Sequence, residues 1–156
     1  MDLLIIMIVL FTFALVIFLG YKILGSFNTE IQANSAITAE GKAGANYIYA
    51  KFNPVFDKLF LFLFVGMLIA TLIGAWFIDV HPLFFIVSVI VLIFLLIGVV
   101  ALSNIFIEML ANPELSMLSA SFPIITFFMS NLLYISIASA ILVMLALYAK
   151  PRYTTI

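Results

Sequence analysis

The sequence predicts an all-α membrane protein with four membrane-spanning helices, and three observations support this prediction. Of its 156 residues, 67% are hydrophobic and only 8% are charged, whereas a soluble globular domain carries about 25% charged residues. The apolar residues fall into four runs, each near the roughly 20 residues that a helix needs to cross a hydrocarbon core. Charged residues occur only outside these runs. We therefore expect a single membrane domain over residues 1–156.

The four predicted spans are residues 3–21, 59–78, 83–107 and 122–149. The first span could instead be a cleavable signal peptide, which has a positively charged start before its apolar stretch. Here Asp2 precedes the run and Lys22 follows it. We therefore expect an uncleaved anchor with its N-terminus on the non-cytoplasmic side of the membrane.

The second and third spans are joined by only four residues, 79–82. So short a link predicts an antiparallel helical hairpin. Asp79 and His81 lie in this link and are the residue types that a proton relay or a metal site uses. They are too few for a closed metal site, and we interpret them as a hydrated turn at the membrane edge.

Small residues predict where helices pack closely. Gly66, Ala70 and Gly74 recur every four residues on the second span, and such spacing lets helix backbones approach each other in lipid. Asn131 lies inside the fourth span, and an amide there commonly hydrogen-bonds to a neighbouring helix. These four residues are the predicted helix-packing positions.

One polar segment, residues 25–53, separates the first two spans. Six of its residues recur at helical spacing and share one small, mildly apolar face, which suits contact with a partner: Ile37, Gly41, Gly44, Ala45, Ile48 and Phe52. Glycine costs about 1 kcal/mol in a helix, so a solvated loop is the alternative. We favour the helix.

Proline occurs just before or at the start of the later apolar runs, in Asn53-Pro54, His81-Pro82, Asn112-Pro113 and Phe122-Pro123. Proline is tolerated in the first turn of a helix because its missing N–H would have no partner there. Asn or Ser just before it can cap the free amides. The pattern predicts helix starts at these positions, and Lys150-Pro151 predicts the end of the last helix.

The distribution of basic residues predicts the orientation. The loop over residues 22–58 contains four lysines, and the C-terminus on the opposite side contains Lys150 and Arg152. The positive-inside rule therefore places residues 22–58 in the cytoplasm.

Two stretches resemble a known group of proteins: residues 77–84 followed by Leu102-Ser103-Asn104, and Phe122-Pro123 through Met129-Ser130-Asn131. Over roughly residues 53–150, the chain resembles small membrane proteins of tailless icosahedral bacteriophages that carry an internal lipid membrane. The resemblance implies a virion protein that shapes the membrane or links it to the capsid. It supplies no catalytic residues.

The residues themselves give no support for an enzyme. Glycine-rich phosphate loops and nucleophile–base sets are absent from the sequence, cysteine is absent, and the net charge of −1 offers no basic surface for nucleic acid. We expect no catalytic, cofactor or metal residues. The predicted function is structural: a subunit, in an oligomer or larger complex, that contacts the lipid bilayer and other membrane or capsid proteins. The alternatives are a small holin-like pore and an accessory subunit of a cellular membrane complex.

Overall fold

The computed structural model describes residues 2–78 and 83–148, apart from the side chains of residues 2, 83–85 and 114. Within these residues the chain forms helices joined by short turns: α1 Asp2–Ala33, α2 Ala39–Phe77, α3 Leu83–Ala111, α4 Pro113–Ser121, α5 Pro123–Ser130 and α6 Leu132–Tyr148. Three of them, α1, α2 and α3, are each long and apolar enough to cross a membrane, and α5 with α6 makes a fourth span if the bent pair is counted as one. The predicted all-α polytopic fold is confirmed.

The polar segment is mostly helical, because α1 continues to Ala33 and α2 begins at Ala39. At a rise of 1.5 Å per residue, α1 is about 48 Å long and α2 about 58 Å. Both exceed the hydrocarbon thickness of about 30 Å. The apolar runs end at residue 21 and resume at residue 59, so the excess length belongs to the polar part. We call residues 22–58 the extramembrane hairpin.

Local hydrogen bonds close the tip of this hairpin. The Asn34 side-chain oxygen accepts from the amide of Ala36 at 2.9 Å, and the Thr38 hydroxyl caps α2 by accepting from the amide of Gly41 at 3.2 Å. Gln32 and Lys42 tie the two arms together, since each side chain donates to the other's carbonyl oxygen at 2.8 Å. These bonds hold the tip in one register.

Pro54 does not begin a helix. It lies inside α2, so the predicted start at Asn53-Pro54 is wrong. Proline in a helix interior removes one backbone hydrogen bond and costs about 3 kcal/mol. Here the helix continues because aromatic packing holds the residues around Pro54: Phe52 stacks on Phe56 with ring centroids 4.2 Å apart and also contacts Tyr21 of α1. The predicted starts at Pro113 and Pro123 are confirmed.

The first helix supplies much of the buried core. Leu3, Met7, Leu10, Ala14 and Ile17 are buried and recur at alternating intervals of four and three residues, the spacing of a helix that packs along its length against neighbours. The outer faces of α2 and α3 are apolar and open, with Phe62 77% and Phe94 70% exposed. In a membrane protein, such faces contact lipid.

The last apolar run is broken into two helices that meet at an angle of 75°, so the prediction of one continuous helix over 122–149 is wrong. Asn131 lies at the break, and its side-chain amide donates to the carbonyl of Phe127 at 2.9 Å. The backbone amide of Asn131 donates to the same carbonyl at 3.1 Å, so the helical hydrogen bond is kept there, and the break lies between the end of α5 at Ser130 and the start of α6 at Leu132.

Beyond the bend, α6 follows α3. The Ser103 hydroxyl donates to the carbonyl of Met129 at 3.1 Å, and Ser88 and Tyr148 place their hydroxyl oxygens 3.4 Å apart. The two α3 serines are separated by about 22 Å of helix. The chain from Met129 to Tyr148, which includes all of α6, therefore runs antiparallel to α3.

Candidate functional site

Asp57 is a buried carboxylate that holds the start of a distant helix. Only 5% of its surface is exposed. Its Oδ2 accepts from the amide of Ile124 at 3.0 Å, and its Oδ1 accepts from the amide of Ile125 at 2.9 Å. These amides lie in the first turn of α5, whose N-cap residue Phe122 provides no side-chain hydrogen bond. Asp57 thus caps α5 across 67 residues of chain.

The negative charge of Asp57 suits this position. The first turn of a helix carries unpaired N–H groups and a partial positive charge, both of which stabilise an anion. Because the site is buried, unpaired amides there would be costly, so the carboxylate and the helix end satisfy each other. Among the described residues, no buried side-chain nitrogen or oxygen lacks a hydrogen-bond partner.

Aromatic side chains fix the segment that enters α5. Phe122 is completely buried. Its ring packs 5.4 Å from that of Phe18 and meets Tyr21 edge to face at 5.2 Å. Six residues later, Phe128 meets Phe64 of α2 with ring centroids 4.8 Å apart. The start of α5 is therefore held between α1 and α2, and Asp57 lies at its N-terminal end.

A pocket of about 480 Å³ opens beside this junction. Its wall includes both charged neighbours Asp57 and Lys58, the polar side chains of Asn53 and Ser121, and the apolar surfaces of Pro54 and Ile124. The second apolar run begins at Leu59, the residue after Lys58. The pocket therefore lies next to the start of the second apolar run, at the end of the extramembrane hairpin.

The predicted helix-packing residues do not pack within this chain. Gly66, Ala70 and Gly74 are all exposed, and a Cβ atom added at either glycine would meet no atom within 4 Å. The side chain of Asn131 bonds within its own bent segment and not across helices. Close packing through small residues occurs on α6 instead, where Ser136, Ser139 and Ala140 are buried.

The predicted partner face is divided. Phe52 is half-buried against Tyr21 of α1, so it belongs to the hairpin's own interface. Ile37 and Ala45 are also half-buried, and the Cγ2 of Ile37 lies close to Gly41. Gly44 has open space around its Cα, and Ile48 is 59% exposed. Only Gly44 and Ile48, with the exposed Gly41, are left available to a partner.

Asp57 was missed by sequence reasoning because it precedes the second apolar run and resembles an ordinary charge at a membrane boundary. One signal was present: Phe122 cannot cap the helix that begins at Pro123, so that helix needs an acceptor from elsewhere. Asp79 and His81 lie outside the described residues. Within 2–78 and 83–148, no group of three or more His, Asp or Glu side chains could hold a metal ion.

Comparisons with protein families, with curated proteins and with solved structures bear on the identity of the chain. No protein-family model, curated protein or solved structure matches it. The resemblance of residues 53–150 to internal-membrane proteins of phages therefore stays a prediction, and the fold class is the one established part of its identity: an all-α polytopic membrane protein with three to four apolar spans.

Proposed function

We propose that this chain is a non-catalytic structural subunit of a membrane-embedded assembly, and that the assembly is the internal membrane of a phage particle. In this proposal the apolar spans anchor the protein in lipid, and the extramembrane hairpin contacts capsid or other membrane proteins. The observation that supports the proposal is the continuity of α1 and α2 from the apolar runs into a polar hairpin with a fixed tip. Such a shape suits attachment.

Side chains on the open side of the hairpin suit contact with protein. Tyr47 is 65% exposed and Val55 55% exposed, and both lie in the part of α2 that precedes the second apolar run. Tyrosine is enriched at protein interfaces, and Val55 adds apolar surface about two turns further along the same helix.

Photo-crosslinking in purified particles tests the proposal. A photoreactive amino acid is placed at Ile48 on the hairpin and, as the matched control, at Phe94 on the lipid-facing side of α3. We expect the chain to co-purify with particles freed of host membranes. Ile48 should crosslink to particle proteins and Phe94 mainly to lipid. Recovery of the chain only in host membranes would contradict the virion assignment.

A pore is the competing function, and liposomes distinguish the two. The sequence of each span offers only scattered Thr, Ser and Asn, and no continuous polar stripe. Purified wild-type protein in liposomes should therefore release neither ions nor small dyes. Substantial leakage that Gly74→Leu abolishes would overturn the structural proposal in favour of an oligomeric pore.

A further inference from the structure

The pocket beside Asp57 is large enough for a small ligand. Its volume of about 480 Å³ falls within the roughly 300–1,000 Å³ typical of small-molecule sites. It lies where the second apolar run begins, and a span over residues 59–78 would place it at the depth of the lipid headgroups. The molecules that surround a membrane protein at this depth are phospholipids, so a phospholipid is the ligand with the most direct access.

The wall of the pocket carries one charge of each sign. Asp57 and Lys58 are adjacent in sequence and both line it. Asp57 accepts one amide hydrogen bond on each oxygen, whereas an ionised carboxylate has about four acceptor positions. It can therefore still accept from a donor in the pocket. Lys58 is exposed and offers an ammonium group.

We propose that this pocket binds the headgroup of a zwitterionic phospholipid that carries a primary amine. The lipid ammonium donates to Asp57, and the lipid phosphate accepts from Lys58. Asn53 and Ser121 line the same pocket with neutral polar groups, and Pro54 and Ile124 provide an apolar surface for the glycerol and the first carbons of the acyl chains. The proposal depends only on the membrane fold and not on the virion assignment.

The chemistry of the pocket distinguishes this headgroup from other lipids. A purely anionic headgroup could pair with the ammonium of Lys58. It would have no cation for Asp57, and its negative charge would be repelled by that carboxylate. A choline headgroup has the same net charge as an ethanolamine headgroup. Its quaternary nitrogen, however, has no N–H to donate to Asp57. The pocket should therefore prefer ethanolamine over both choline and glycerol headgroups.

Native mass spectrometry of the full chain tests this preference. The protein is purified in detergent and supplied with equal amounts of phosphatidylethanolamine, phosphatidylcholine and phosphatidylglycerol of identical acyl chains. We expect bound phosphatidylethanolamine to exceed each of the others. Lys58→Gln should lower its retention about fivefold or more, since it removes a charge-assisted hydrogen bond. Soluble glycerophosphoethanolamine at equal concentration should not displace the lipid, because it lacks acyl chains.

Lys51→Gln is the matched control. Lys51 is an exposed lysine of the same helix, and its Nζ lies 5.8 Å from the ring of Tyr47 and not at the pocket. The Lys51→Gln variant should retain as much phosphatidylethanolamine as the wild type. Equal retention of the ethanolamine and choline lipids, a preference for phosphatidylglycerol, or the same loss in both lysine variants would each overturn the proposal.

Discussion

At the scale of the residue, the stability of α5 depends on Asp57. A helix start inside a membrane protein needs acceptors for its first amides, and here both acceptors come from a single carboxylate on α2. The consequence is that one side chain couples two elements that are far apart in sequence.

Asp57→Ala should loosen the start of α5. The change leaves the amides of Ile124 and Ile125 without acceptors, and a buried polar group left unsatisfied costs about 1–3 kcal/mol. Amide hydrogen exchange in detergent micelles should therefore accelerate at Ile124 and Ile125 and stay unchanged at the hairpin tip. Lys58→Gln, which removes a charge next to Asp57 without touching these bonds, is the control. Unchanged exchange in Asp57→Ala would show that Asp57 does not cap α5.

At the scale of the element, two glycines of the hairpin have opposite surroundings. A Cβ atom added at Gly25 would lie 3.3 Å from the ring of Tyr49, which stacks on Tyr21, whereas one added at Gly44 would meet nothing within 4 Å. Gly25 therefore permits close approach of the two arms, and Gly44 only weakens its helix.

Gly44→Ala should stabilise the hairpin by about 1 kcal/mol, the difference in helix propensity between the two residues. Gly25→Leu should destabilise it by about 1–3 kcal/mol, because the new side chain displaces Tyr49. Protease cleavage within residues 22–58, followed over time in detergent, should slow for the first variant and accelerate for the second. Equal cleavage rates would contradict the packing of Tyr49 over Gly25.

The open face of α2, which carries Gly66 and Gly74, is a second feature of a single helix that can be tested. Replacing Gly66 or Gly74 with Leu should leave the monomer fold intact, because both glycines face open space. If a neighbouring subunit covers this face, the same change should weaken association by about 1–3 kcal/mol through overpacking. Size-exclusion chromatography with light scattering measures association, and thermal unfolding in detergent measures the fold. Loss of the monomer fold would place this face inside the subunit.

Whether a feature of a helix can be predicted from the sequence depends on what that helix contacts. Long apolar runs predict spans well, since length and lack of charge are visible in the sequence. The buried face of α1 was not predictable: Val9 is exposed and Leu10 is buried, yet both are apolar, because lipid and protein interior select similar side chains. The cap from Asp57 depends on a tertiary contact that no local pattern records.

At the scale of the whole molecule, the helices define which segments share a side of the membrane. The hairpin tip and α4 should lie on one side, and the end of α2 on the other. The chain contains no native cysteine, so single introduced thiols report each position. Cysteine at Ser35 and Ser116 should react with an impermeant reagent from the same face, and cysteine at Ile78 from the opposite face. Labelling of Ser35 and Ile78 from one face would exclude α2 as a span.

Because α1 and α2 continue unbroken into the extramembrane hairpin, the length of its two arms sets how far the tip lies from the apolar runs. The same length sets which faces of the arms meet. Seven residues inserted into both arms would raise the tip by about 10 Å and turn it by only about 20°. Two residues inserted into both arms would raise it by about 3 Å but turn each helix by about 200° about its own axis, so the arms could no longer pack through the same side chains. A partner that depends on which way the tip faces would be lost with the short insertion and regained with the long one.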